Sequence, residues 1–119
     1  KVAESEDFYA FLDIAPMAKG HTLVIPKNVE DDYIFNLDEK TYMGLCAFAR
    51  EVAQAIKAAV PCQRVGVAVL GMEVPHTHIH LVPLTTEADM DFRKAKLELS
   101  SEEFAQIASS IYNEYVKSK

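Results

Sequence analysis

A chain of 119 residues with 50% hydrophobic content and a mean hydropathy of −0.01 has the length and composition of one globular domain with its own core, which excludes a disordered chain. Twelve Lys and Arg against 18 Asp and Glu leave a net charge of −6, which disfavours polymeric nucleic acid, because that affinity depends on basic side chains displacing counterions. No apolar run approaches the roughly 20 residues of a membrane span, and Cys46 and Cys62 fit neither a CxxC nor a Cys/His metal spacing. A reducing, cytoplasmic setting without membrane or disulfide framework is therefore expected. Because the first residue is Lys1, a preceding segment is expected to have been removed.

Residues 8–14 are rich in aromatic and branched side chains and read as a strand that closes before Pro16. Gly20 permits a turn into a second strand over residues 21–25, stopped by Pro26, so the two form a hairpin with a loop of five or six residues. From residue 38 to about 60, Met43, Cys46, Ala47, Val52 and Ile56 recur at helical spacing with Ala49, Ala53 and Ala55 beside them. Asn36 followed by Glu39 reads as a capping box for this long helix, and Pro61 marks its end. Residues 65–70 form a buried-type strand, Gly71 a turn, and residues 74–84 another strand.

Alternation along that last strand puts His76, His78, His80 and Val82 on one side, with Thr77, Ile79 and Leu81 on the other. Pro75 and Pro83 suit its first and last rungs. Residues 85–96 are polar. Ser100 with Glu103 then caps a terminal helix carrying Phe104, Ile107, Ile111 and Tyr115 on one stripe. The predicted class is α+β, a single domain over residues 1–119, with sheet and helices segregated.

Three of the four histidines lie in one alternating run. Neighbouring imidazoles on a strand face are about 7 Å apart, and three readings follow. They form a metal site that takes its further ligand from His21, a nucleophilic site in which one imidazole attacks while others orient it, or a hydrophilic face without a task. Spacing alone leaves all three open.

The run Val74-Pro75-His76-Thr77-His78-Ile79-His80-Leu81-Val82-Pro83 resembles the signature of the histidine triad (HIT) superfamily, in which three histidines alternate with apolar residues. Thr77 stands at an apolar position, where its methyl group can still pack. Upstream, residues 11–16 and 19–27 resemble that family's N-terminal hairpin, including its separate fourth histidine, His21. The resemblance implies a HIT-like antiparallel sheet of about five strands with one long helix and a C-terminal helix. It also implies a homodimer joined through the long helix and a sheet edge.

Family members hydrolyse or transfer nucleotides at the α-phosphorus of nucleoside phosphoramidates, dinucleoside polyphosphates or related conjugates, with no metal or other cofactor required. Carried over, this makes His78 the nucleophile that forms a nucleotidyl intermediate. His80 donates a hydrogen bond to the phosphoryl oxygens, and His76 and His21 complete the relay. Asp13 matches the position that accepts hydrogen bonds from the ribose hydroxyls, while Phe11 and Ile14 match positions that wall the base, with a purine expected. The chain departs from the family at Met72, where a glutamine is usual, in lacking an asparagine in residues 65–70, and at Asn28, where a histidine is common. It also lacks the CxxC zinc pair of some branches. The rival readings are a metal-binding protein built on the histidines and a catalytically weak nucleotide-binding regulator.

Overall fold

The computed structural model describes residues 1–72, 74–93 and 95–119. It contains strands β1 (Ala3–Glu4), β2 (Phe8–Leu12) and β3 (Thr22–Pro26), helix α1 (Glu39–Ala59), strands β4 (Arg64–Ala68) and β5 (Ile79–Leu84), and helix α2 (Ser101–Lys117). Two 3-10 turns, Ile34–Asn36 and Glu87–Met90, interrupt the connections. The five strands form one antiparallel sheet in the order β1-β2-β3-β5-β4. This is the expected α+β class, with the two-residue β1 supplying the strand that patterning alone did not reveal.

Register decides which side chains meet. Ala10 opposes Val24 and Val24 opposes Ile79, so these three point the same way, toward the helices. With Leu45, Val52, Ile56, Leu81 and Ile111 they belong to the buried core. Each fully buried aliphatic side chain contributes about 1.5–3 kcal/mol relative to exposure. One residue along, Phe11 opposes Leu23 and Leu23 opposes His80. That row crosses the other face of the sheet, away from the core.

Helix α1 starts one residue later than expected and is not capped by Asn36. Asn36 closes a 3-10 turn instead, with its N–H bonded to the Tyr33 carbonyl at 3.0 Å, and the N-cap is Asp38, whose side chain makes no capping bond. The core stripe also differs from the one expected. Leu45, Phe48, Ala49, Val52, Ala55 and Ile56 face inward, whereas Met43 is 60% exposed and Cys46 and Ala47 face solvent. A helix this rich in alanine and apolar residues offers two candidate stripes, and the sheet selects the one carrying Leu45 and Phe48. At α2 the expected capping box is present: Ser100 Oγ accepts from the Glu103 N–H at 3.1 Å, and Glu103 Oε1 accepts from the Ser100 N–H at 3.2 Å.

The strands around the histidines are shorter than patterning implied. β2 ends at Leu12 because Asp13 turns the chain, its Oδ1 accepting from the Ala15 N–H at 2.9 Å. Gly20, with φ of 99°, brings the chain back into β3; a Cβ there would lie 3.1 Å from Pro83 Cγ and from Val60 Cγ2. β5 begins at Ile79, not at residue 74. Before it the chain turns tightly, with the His76 N–H bonded to the Val74 carbonyl at 2.8 Å. Pairing of β4 accordingly stops at Ala68 opposite His80. Pro83 sits within β5 opposite Val65, beyond the stretch paired with β3, where its missing N–H removes no β3 bond.

Candidate active site

His80 projects from the sheet face that also carries Leu23 and Phe11. Its ring centroid is 4.8 Å from that of His78 and 5.2 Å from that of His21. All three imidazoles are nearly buried, with His21 2%, His78 8% and His80 9% exposed. The sequence row of three is thus rearranged in space: His21 joins His78 and His80, while His76 turns away, its Nε2 3.0 Å from the Pro26 carbonyl. The cause is the turn before Ile79, which breaks the alternation that a strand from residue 74 would have imposed.

Backbone partners fix the tautomers. Met17 N–H donates to His21 Nδ1 at 3.0 Å, so in neutral His21 the proton sits on Nε2. That Nε2 faces His80 Nδ1 at 2.9 Å and Asp13 Oδ2 at 3.5 Å. His80 Nδ1 must then accept, which puts the His80 proton on Nε2. At His78 the partner is the His76 carbonyl, 2.8 Å from Nδ1. A carbonyl only accepts, so Nδ1 carries the proton and Nε2 keeps its lone pair. One imidazole therefore presents a base or nucleophile, and its neighbour an N–H donor.

Charge follows from burial. Desolvation lowers the His80 pKa from 6.5 to about 4, the His21 and His78 rings and Lys96 act in the same direction, and the Asp13 carboxylate opposes them. His80 is accordingly neutral at pH 7. A neutral donor lying against two imidazoles avoids the repulsion that a charged relay of three would carry.

The other expected site residues divide. Asp13 lies beside the relay, held by the Ala15 N–H and close to His21. Phe11 is half-buried on the His80 face and packs on Tyr9 at 5.7 Å between ring centroids. Ile14 is 89% exposed, as is Met72 at the position where glutamine is usual.

Three contributions have no sequence signature. The Met17 amide orients His21 from within a loop. Thr77 does more than pack a methyl group: its N–H and its hydroxyl both donate to the Asp31 carbonyl, at 2.9 and 2.6 Å, anchoring the segment that presents His76 and His78. Phe92 meets His80 edge-on, with ring centroids 5.0 Å apart, and only the tertiary fold brings the two together.

The donor atoms of Asp13, His21 and His80 lie within 4.8 Å of one another. This differs from the metal set expected from sequence, since Asp13 replaces His76 and His78.

An antiparallel sheet backed by two helices on one face and carrying an imidazole relay on the other is the architecture of a histidine-triad domain. The HIT domain family matches residues 1–87, and the chain belongs to that family. An uncharacterized HIT-like protein of Borreliella burgdorferi is 32% identical over 119 residues, covering 93% of this chain and 85% of that one. An adenosine 5′-monophosphoramidase of Saccharomyces cerevisiae is 34% identical over 89 residues, covering 73% of this chain and 55% of the yeast protein. Among solved structures, a hypothetical histidine triad nucleotide-binding protein of Sulfolobus tokodaii strain 7 superposes with a TM-score of 0.78 at 30% identity, covering 98% of this chain and 83% of that one.

Proposed function

We propose that the protein is a nucleotidyl hydrolase or transferase that cleaves nucleoside 5′-phosphoramidates or related nucleotide conjugates through a covalent intermediate on His78. The observation that carries this reading is the hydrogen bond from His78 Nδ1 to the His76 carbonyl, which leaves the Nε2 lone pair available beside an imidazole whose proton lies on Nε2. His78 Nε2 attacks the α-phosphorus, the bond to the leaving group breaks, and the departing amine takes up a proton from solvent. Water then attacks the phosphorus of the nucleotidyl-histidine, the phosphorus–Nε2 bond breaks to regenerate the imidazole, and the proton lost by the water returns to solvent. His80 donates from Nε2 to a phosphoryl oxygen, and a neutral, pre-positioned donor needs no reorganisation as charge develops there. His21 holds His80 in that tautomer, and Asp13 holds His21 until the ribose hydroxyls compete for its carboxylate.

The row of Phe11 and Leu23 leading across the sheet to His80 supports a purine nucleoside on the β2–β3 side. Ile14, exposed two residues beyond the end of β2, closes over the base when it binds. The outward Met43, Cys46 and Ala47 on α1, together with exposed Val67 on edge strand β4, support pairing with a second copy. No helix among the described residues is long and apolar enough to cross a membrane.

Incubation of the purified protein with adenosine 5′-phosphoramidate is expected to release adenosine monophosphate at a rate unaffected by chelator. Absence of turnover contradicts the reading, and tight nucleotide binding without turnover would identify a regulator instead. A second reading is favoured by one observation, the Asp13, His21 and His80 donor set. It requires about one transition-metal ion per chain on elemental analysis, and loss of activity with chelator.

A further inference from the structure

Behind β5 the chain does not leave the site. Residues Glu87–Met90 form a 3-10 turn closed by a capping box between Thr86 and Asp89, and Asp89 Oδ2 accepts from the N–H groups of Thr85 and Thr86 at 2.8 and 3.0 Å. This turn folds the chain back over the sheet. Met90 Cε lies where a side chain on Gly66 would stand, 2.6 Å from the Cβ position. Gly66 opposes Val82, which shares a face with His80 two residues away, so Met90 covers the histidine side of the sheet. Phe92 then meets His80 edge-on. Lys96 Nζ donates to the Phe92 carbonyl at 2.9 Å and lies 5.9 Å from the centre of its ring. Finally, the Leu97 N–H donates to the Pro16 carbonyl at 2.8 Å, next to the Met17 amide that orients His21. Among its described residues, Glu87–Met90 and Leu97 are thus anchored, and Phe92 between them touches the relay.

Building on the hydrolase reading above, we infer that Phe92 and Lys96 form the subsite for the leaving group and that Lys96 selects conjugates whose leaving group carries negative charge next to the α-phosphate. The nucleoside, anchored at Asp13 and Phe11, takes the β2–β3 side of the face. Whatever is attached beyond the α-phosphate meets the walls that remain, on the β4–β5 side, where Met90 and Phe92 lie. Burial holds His80 neutral there, and the Lys96 side chain, anchored over the Phe92 ring that touches His80, is a cation close enough to act on it. In a chain of net charge −6, that local cation favours an anionic group over a neutral one. A carboxylate on an amino-acid leaving group and a phosphate of a dinucleoside polyphosphate supply the same charge at the same place.

The test compares wild type with Lys96→Met, which keeps an apolar stem, and Lys96→Arg, which keeps the charge. Substrates are adenosine 5′-phosphoramidate, whose leaving group is neutral ammonia, and the adenosine 5′-phosphoramidate of an amino acid with a free carboxylate. Lys96→Met is expected to lower kcat/KM for the carboxylate conjugate roughly tenfold, as befits one charge-assisted hydrogen bond. The parent should change by less than about twofold, and Lys96→Arg should retain the preference. Equal losses on both substrates, or no loss on either, would overturn the inference. Binding separates it from the hydrolase reading, because α,β-methylene adenosine diphosphate and adenosine monophosphate report the subsite without turnover. If no conjugate is cleaved, a roughly tenfold loss of affinity confined to the methylene diphosphate in Lys96→Met still upholds the subsite; unchanged affinity overturns it.

Discussion

The relay and the nucleoside side of the same sheet face are built differently. His21, His78 and His80 are buried, and each has a ring nitrogen held by a backbone amide, a backbone carbonyl or another imidazole. A few residues away Ile14 stands 89% in solvent and Phe11 touches only a neighbouring tyrosine ring among the aromatic contacts of the described residues. The groups that would do chemistry are oriented before any ligand arrives, while the groups that would wall the base have fewer partners within the protein. Preorganisation is worth most where charge develops in the transition state, and least where apolar surface is simply covered. Substitutions in the relay should therefore change kcat, and those on the nucleoside side should change KM.

The largest such effect after His78 itself is expected at His21. His21→Phe keeps a planar aromatic ring, somewhat larger than imidazole, but leaves the Met17 amide without its acceptor and removes the constraint on the His80 tautomer. A fall of roughly a hundredfold in kcat is expected, with a stability loss of about 1–3 kcal/mol from the buried unpaired amide. Steady-state kinetics and urea unfolding read the two separately. A change confined to KM would erase the distinction between relay and nucleoside side.

A smaller effect concerns pH. His80 takes a proton near 6.5 when unfolded but only near 4 when folded, so between those values the unfolded state binds more protons. Its contribution to stability is complete above pH 6.5 and is lost as pH falls toward 4. The urea midpoint should fall less between neutral and acid pH in His80→Gln than in wild type. An unchanged pH slope would show that His80 is not held neutral by burial.

The smallest effect is expected at Ile14. Because it is exposed, Ile14→Ala should change stability by less than about 0.5 kcal/mol, yet raise KM for a purine conjugate severalfold with kcat retained. A loss of kcat without a change in KM would place Ile14 with the relay instead.

Much of this organisation is legible from residue pattern, and the exceptions have physical causes. The capping box at Ser100 and Glu103 was readable because both partners are local. The box expected at Asn36 and Glu39 failed because a 3-10 turn claims Asn36 first. Alternation correctly put Ile79 and Leu81 on the face opposite His80, but it could not reveal that the chain before Ile79 is pulled aside by the Thr77 bonds to Asp31, which turns His76 out of the row. The motif of residues 19–27 singled out His21, whereas its bond to the Met17 amide and its link to His80 arise from loop closure and strand order. Phe92 lies in a polar stretch whose return over the sheet depends on the Thr86 and Asp89 box. Local chemistry is visible in a sequence; the partner that a loop brings back is not.

The central claim is that His78 Nε2 attacks phosphorus, and trapping tests it most directly. Wild-type protein mixed with adenosine 5′-phosphoramidate, quenched within a turnover and examined by peptide mass spectrometry, should carry an adenylyl group on His78 and on no other residue. His78→Ala should carry none and turn over at least roughly a thousandfold more slowly. An adenylyl group elsewhere, or undiminished turnover by His78→Ala, would contradict the account.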